Sequence, residues 1–120
     1  MSETSSKPTM CGGFGRDGKD PQGIPDARTV ATTSIHGRTI ELRYSDQYRT
    51  AWGTITHGQP GDNVWVDRSD DDGQTWQQLG QTWIQKGSDT HTPMYDADKL
   101  RIRAGGNVAN RPEVAVTEWH

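Results

Sequence analysis

The sequence predicts an all-β domain, a small sandwich or barrel of about seven short antiparallel strands, preceded by an irregular glycine-rich N-terminal arm. From residue 28 onwards, short runs alternate apolar and polar residues, which is the period of a half-buried strand. Turn-forming residues interrupt these runs about every 8–12 residues, a spacing typical of sandwiches and barrels. No segment shows the period of an amphipathic helix.

The arm comprises residues 1–27 and precedes a single β-domain at residues 28–120. Glycine is frequent between residues 12 and 23, and Phe14 is the largest apolar side chain of this stretch. Ordering a residue costs roughly 1–2 kcal/mol of backbone entropy, and glycine loses the most. We therefore expect contacts with a protein partner, or with another copy of the chain, to hold the arm, with Phe14 as an anchor.

Seven stretches of the domain have the composition of strands. In the second of them, Ile40, Leu42 and Tyr44 fall on one face, and the third contains Trp52. The last two are separated by a predicted loop at residues 105–112. The predicted strands are residues 29–35, 38–44, 48–56, 63–68, 76–83, 100–103 and 114–119.

The turn between the fourth and fifth strands is the best specified element of the chain. Residues 69–76 match the Asp-box pattern Ser-x-Asp-x-Gly-x-x-Trp. In such a turn the Asp71 carboxylate accepts hydrogen bonds from backbone N–H groups, and Gly73 adopts a positive φ. Trp76 is expected to pack beneath the turn. We interpret Ser69, Asp71, Gly73, Thr75 and Trp76 as a structural turn; the same motif in sialidase-type propellers is also structural.

Three tryptophans of the strands are candidate binding residues, together with Phe14 of the arm. Trp52 and Trp65 lie opposite the aliphatic residues of their strands, and Trp83 ends the fifth strand. Exposed aromatic residues on a sheet can stack on a sugar or on an apolar side chain of a partner. The alternative is that both faces of the sheet are covered, which makes these tryptophans part of the core.

Charge and composition argue against several classes of function. The net charge of −3 and the pI near 5.7 do not match a nucleic-acid-binding surface, and no apolar stretch is long enough to cross a membrane. The N-terminus has no apolar signal region, so we expect synthesis in the cytoplasm. The four histidines, the single cysteine and the aspartates around the turn lack the spacing of metal sites, so no metal or other cofactor is expected.

Several short segments resemble, in order and spacing, the YjfA-like family of small bacterial proteins of unknown function. They extend from Gly18-Lys19-Asp20-Pro21 through Leu42-Arg43-Tyr44-Ser45 to Thr92-Pro93-Met94 and Leu100-Arg101. The resemblance implies a shared β-fold and no catalytic residues. Members of that family typically have cysteines at the positions of Arg16, Ile24, Tyr48 and Gly105, and this chain has none there.

Two classes of function agree with the sequence. Leu, Ile, Val and Phe total only sixteen of 120 residues, so the core is thin and burial against a partner would stabilise it. We expect a non-enzymatic structural or interaction domain, a subunit or decoration-type accessory component of a larger assembly such as a virion or protein particle. The alternative is a small glycan- or ligand-binding module, which the tryptophans favour.

Overall fold

Nine short antiparallel strands form the domain in the computed structural model, which describes residues 15–120. Phe14 and Cys11 lie outside the described residues. Within residues 15–120 no helix has the length and hydrophobicity needed to cross a membrane. The strands are β1 (Arg28–Ile35), β2 (Arg38–Ser45), β3 (Thr50–Thr56), β4 (Asn63–Ser69), β5 (Gln77–Trp83), β6 (Thr90–His91), β7 (Tyr95–Asp96), β8 (Arg101–Asn107) and β9 (Val114–Val116).

The strands form two sheets that pack against each other as a sandwich. The first sheet has the order β1-β2-β3, with β6 and β7 paired to opposite ends of β3. The second sheet has the order β5-β4-β8-β9. The predicted all-β fold is confirmed, and the two separate sheets decide between the sandwich and the barrel.

All seven predicted strands are present, and two differences have a clear physical origin. Strands β6 and β7 contain two residues each, too few for an alternating pattern to show. Strand β8 continues to Asn107, through the loop predicted from residue 105. Glycine is required inside this strand: a Cβ on Gly105 would lie 2.6 Å from the Trp65 ring, and one on Gly106 would lie 2.4 Å from Ile40.

The core lies between the two sheets and is built from few aliphatic side chains. Ile40 and Leu42 of β2 are fully buried, as the predicted strand pattern requires, and Tyr44 packs against the edge of the cluster. The buried cluster consists of Ile40, Leu42, Ala51, Ile55, Val64, Val66, Ile84, Ala97, Ile102 and Ala104.

The described part of the arm, residues 15–27, lies against its own domain. Lys19 forms an antiparallel bridge with Met94. The Asp17 carboxylate accepts a hydrogen bond from Arg68 at 2.9 Å, and Asp26 accepts one from the Ser45 hydroxyl at 2.6 Å. These contacts fix this segment without a second chain. Binding of residues 1–14 to a partner stays a prediction.

Candidate functional site

Strand β4 lies inside the second sheet and is buried on both of its faces. Val64 and Val66 point into the core between the sheets. Because side chains alternate along a strand, Asn63, Trp65 and Asp67 point to the opposite side, here called the outer face. These three are also buried, with exposed fractions of 4%, 8% and 3%. The outer side of a two-layer sandwich normally meets solvent, so a further layer of side chains must cover the middle of this strand.

The strand register assembles the outer face from all four strands of the second sheet. Residues directly opposite each other in antiparallel strands project to the same side. Asn63 lies opposite both Trp83 and Asn107, and Asn107 lies opposite Val114, so these four residues form one row. The complete outer face consists of Asn63, Trp65, Asp67, Trp76, Gln81, Trp83, Arg103, Gly105, Asn107, Val114, Val116 and Trp119.

The large hydrophobic side chains that are exposed in residues 15–120 all lie on the outer face. Trp76 is 51% exposed and Trp83 is 46% exposed, while Val114 and Val116 on the edge strand β9 are 60% and 38% exposed. Other surfaces of the described chain show no exposed side chain of this kind. Clustering of apolar groups on one face is typical of a contact surface.

The centre of the outer face is a buried ion pair that lies against an indole ring. Arg103 donates a hydrogen bond from Nε to the Asp67 carboxylate at 2.9 Å, and only 15% and 4% of the two side chains is exposed. The Trp65 side chain also donates a hydrogen bond to Asp67. Burial raises the pKa of Asp67, while the bonds from Arg103 and Trp65 oppose that shift. The pair joins β4 to β8 across the sheet.

Arg103 also joins the C-terminus to the turn between β4 and β5. Its guanidinium lies 4.5 Å from the centre of the Trp76 ring and 4.3 Å from that of Trp119, within the range of cation–π attraction. The Trp119 ring contacts Gly73, where a Cβ would lie 2.8 Å from its Nε1. The expectation that Trp76 packs beneath the turn is wrong, because Trp119 occupies that position and leaves Trp76 half exposed.

The turn itself has the hydrogen bonds expected for Asp71. The Asp71 carboxylate accepts bonds from the backbone N–H and the hydroxyl of Thr75 at 2.8 and 2.6 Å, and from the Ser69 hydroxyl at 2.7 Å. These bonds, above all the one from the Thr75 hydroxyl, lower the pKa of Asp71 to about 2. Gly73 has a φ of 87° and donates its N–H to Ser69 Oγ at 2.8 Å.

A chain of side-chain amides crosses the outer face beside Trp83. Gln81 Nε2 donates to Asn63 Oδ1 at 2.8 Å, and Asn63 Nδ2 donates to Asn107 Oδ1 at 3.1 Å. Asn107 Nδ2 donates to the carbonyl oxygens of Arg111 and Glu113, both at 2.8 Å. The bonds determine which end of each amide is oxygen and which is nitrogen. The three amides therefore have fixed orientations.

The aspartates near the turn point to different partners. Asp67 binds Arg103, Asp71 binds groups inside the turn, and Asp72 accepts a hydrogen bond from Arg101 at 3.0 Å. Across residues 15–120, no three His, Cys, Asp or Glu side chains are grouped as a metal ion requires. These carboxylates stabilise the turn and the sheet.

The structure separates the predicted binding residues. Trp83 is exposed on the outer face, whereas Trp52 and Trp65 are only 5% and 8% exposed, so their proposed role as binding surface is wrong for this chain. Trp65 packs over Gly105 and beside its ion pair, and Trp52 lies next to Pro21 and Gln22 of the arm. Phe14 lies outside the described residues.

Sequence reasoning missed most of the outer face. The residues involved are polar, short or close to the chain end, and no motif links them. Alternation in β9 indicated that Val114 and Val116 share a side, but only the register reveals which other residues lie beside them. The missed residues are Asn63, Asp67, Gln81, Arg103, Gly105, Asn107, Val114, Val116 and Trp119.

Comparison with known proteins gives one family and no characterised relative. Residues 15–104 match the model of a family described as a protein of unknown function (DUF2690). No curated protein and no solved structure matches the chain significantly. The match covers the arm next to the domain and eight of the nine strands. The chain therefore belongs to this family of unknown function, DUF2690.

Proposed function

We propose that this chain is a non-enzymatic interaction domain, an accessory component that joins a larger assembly through its outer face. A virion or another protein particle is the type of assembly that we propose. The observation that supports this most directly is the position of Trp76, Trp83, Val114 and Val116, which are exposed together on one sheet face. Exposing these groups to water is unfavourable, and contact with a partner would remove them from it.

The size of the outer face favours a modest contact. Four strands spaced about 4.8 Å apart, with up to seven residues at about 3.4 Å each, give a face of roughly 450 Å². A stable protein interface buries about 800 Å² on each partner. The outer face alone thus suits an accessory component, which is added to an assembly rather than holding it together. Contacts made by residues 1–14 would enlarge the interface.

The roles of the charged groups support a non-enzymatic function. A general acid or base must be free to exchange a proton with substrate. Asp67 is instead paired with Arg103, and Asp62 accepts a hydrogen bond from Arg38 at 2.8 Å and others from backbone N–H groups. We propose structural roles for these carboxylates.

The narrower features of the sequence fit the same proposal. We propose that residues 69–76 form an Asp-box turn whose role is structural, in agreement with the hydrogen bonds of Asp71 and Ser69. We also propose that the chain is related to the YjfA-like proteins within its family of unknown function. Neither feature implies a catalytic residue.

Sedimentation velocity over a wide range of concentrations tests the assembly proposal. We expect the weight-average mass of the full chain to rise above the 13.3 kDa of one copy. The double variant Trp83→Ser, Val114→Ser should reduce this rise, whereas Tyr48→Ser should not, because Tyr48 is a partly exposed aromatic residue outside the outer face. A chain that stays at 13.3 kDa at every concentration contradicts the proposal.

The contribution of the arm requires a separate variant. Deleting residues 1–14 leaves the contacts of Asp17 and Lys19 with the domain intact, so any loss of association is attributable to the deleted segment. A longer deletion that includes Asp17 would also remove its bond to Arg68 and confuse the comparison. Unchanged association after the short deletion would show that Phe14 is not an anchor.

A further inference from the structure

We infer that the outer face binds a neutral saccharide, with Trp83 as the stacking platform and Gln81, Asn63 and Asn107 as the polar groups beside it. This inference rests on the proposal that the outer face is the contact surface, and it names the chemistry of the ligand. The site is the row from Trp83 to Val114 together with Gln81, here called the amide row.

The amide row presents an aromatic ring at one end and an aliphatic side chain at the other. Trp83 is 46% exposed on β5, and Val114 is 60% exposed on β9. Three strand spacings of about 4.8 Å separate them, or about 14 Å. Sugar rings have apolar C–H faces that stack on indoles, while their hydroxyl groups need hydrogen-bond partners at the rim. A short oligosaccharide lying across the strands meets both requirements here.

The side-chain amides between these ends suit hydroxyl groups. Gln81 uses one hydrogen of its amide to bond Asn63, and among residues 15–120 its other hydrogen and its Oε1 have no partner. The bonds from Gln81 to Asn63 and from Asn63 to Asn107 hold the amides in place before the ligand arrives. Little side-chain entropy is therefore lost on binding.

The absence of charge in the amide row selects a neutral ligand. Trp83, Asn63, Asn107, Val114 and Gln81 are all uncharged. The guanidinium of Arg103 lies at the other end of the outer face, where it is paired with Asp67 and mostly buried. An acidic saccharide would need a free cationic group, so a neutral ring is the better match.

The same groups make a protein ligand the poorer match. A flat apolar protein surface would cover Gln81 and bury its unpaired amide atoms without replacing their bonds to water, which is unfavourable. A polyhydroxyl ligand replaces those bonds atom for atom. The small area of the outer face also favours a small ligand over a protein.

Titration of the full chain with soluble neutral oligosaccharides, followed by NMR, tests the inference. The probes are cellohexaose, xylohexaose, laminarihexaose, maltohexaose, mannohexaose and chitohexaose. We expect at least one of them to shift the indole N–H signal of Trp83 and the side-chain amide signals of Gln81 and Asn107. The signal of Trp83 is identified by its loss in Trp83→Phe.

Variants separate stacking from general damage to the fold. Trp83→Ala should weaken binding by about tenfold or more, the usual effect of removing an aromatic platform, and Trp83→Phe should restore most of it. Gln81→Leu keeps the size of the side chain but should also weaken binding. Tyr48→Ala, outside the outer face, should bind like the unmodified chain. Thermal melting of each variant establishes that it is folded.

Each outcome decides between the two proposals. If none of the probes shifts the amide row, or if Trp83→Ala binds as well as the unmodified chain, the saccharide inference is wrong. In that case self-association that depends on Trp83 and Val114 would leave the interaction proposal intact, with a protein as the ligand. Saccharide binding by a strictly monomeric chain would overturn the assembly proposal alone.

Discussion

Substitution of Gly105 by alanine tests whether the packing of Trp65 on β8 fixes the outer face. Gly105 lies directly opposite Trp65 in the sheet. An added Cβ would lie 2.6 Å from Nε1 and 2.7 Å from Cε2 of the indole, well inside van der Waals contact. The rigid ring must therefore shift, and the shift would disturb its hydrogen bond to Asp67.

The sign of the effect distinguishes packing from strand propensity. Alanine in a strand interior is normally better than glycine by roughly 0.5–1 kcal/mol, and Gly105 has no positive φ that would forbid alanine. Overpacking a tight site typically costs about 1–3 kcal/mol. We therefore expect net destabilisation of about 1–2 kcal/mol, which for a chain of this length lowers Tm by roughly 3–12 °C.

Urea unfolding followed by tryptophan fluorescence measures this change in the free energy of unfolding. The matched control is Gly15→Ala, since Gly15 has no atom within 4 Å of an added Cβ and no positive φ. The control should be neutral or slightly stabilising. If Gly105→Ala is as stable as the control and keeps the near-UV circular dichroism of the unmodified chain, Trp65 is not held as described.

Three other substitutions or conditions test the ion pair, the turn and the redox state. Arg103→Met leaves the buried Asp67 carboxylate without its cation, and should cost about 3 kcal/mol in urea unfolding; a neutral effect would contradict the pairing. Because the pKa of Asp71 is about 2, below its usual 3.8, its stabilisation is present above pH 4 and lost as pH falls towards 2. The Tm difference between the unmodified chain and Asp71→Asn should therefore shrink over that range. Reductant should leave Tm unchanged, because Cys11 is the only cysteine; a drop would reveal a bridge between chains.

The strands and the turn were predictable because their signals are local. Alternation of Ile40, Leu42 and Tyr44 with polar residues identifies a half-buried strand without any knowledge of its neighbours. The Asp71 bonds connect residues no more than four positions apart, so eight consecutive residues contain the information for the turn.

The outer face was not predictable because it depends on register between distant strands. Trp83 lies next to Val114 only through two intervening strands, and Arg103 meets Trp119 only after β9 has ended. The sequence shows that Trp65 lies opposite the valines of its strand, but not that Gly105 leaves space for its ring. For this reason an exposed ring and a buried ring could not be distinguished.

The thin aliphatic core and the outer face explain each other. β4 is covered on one side by the core and on the other by a layer in which Trp65, the pair of Asp67 with Arg103, and Trp119 replace solvent. Aromatic residues bury large areas, roughly 150–250 Å² each, so this second layer adds apolar burial that sixteen aliphatic and phenylalanine residues cannot supply. The middle of the outer face is consequently needed for stability, whereas its rim, with Trp83 and Val114, remains exposed. Polar substitutions should therefore separate by position: those at the middle unfold the domain, and those at the rim affect binding alone.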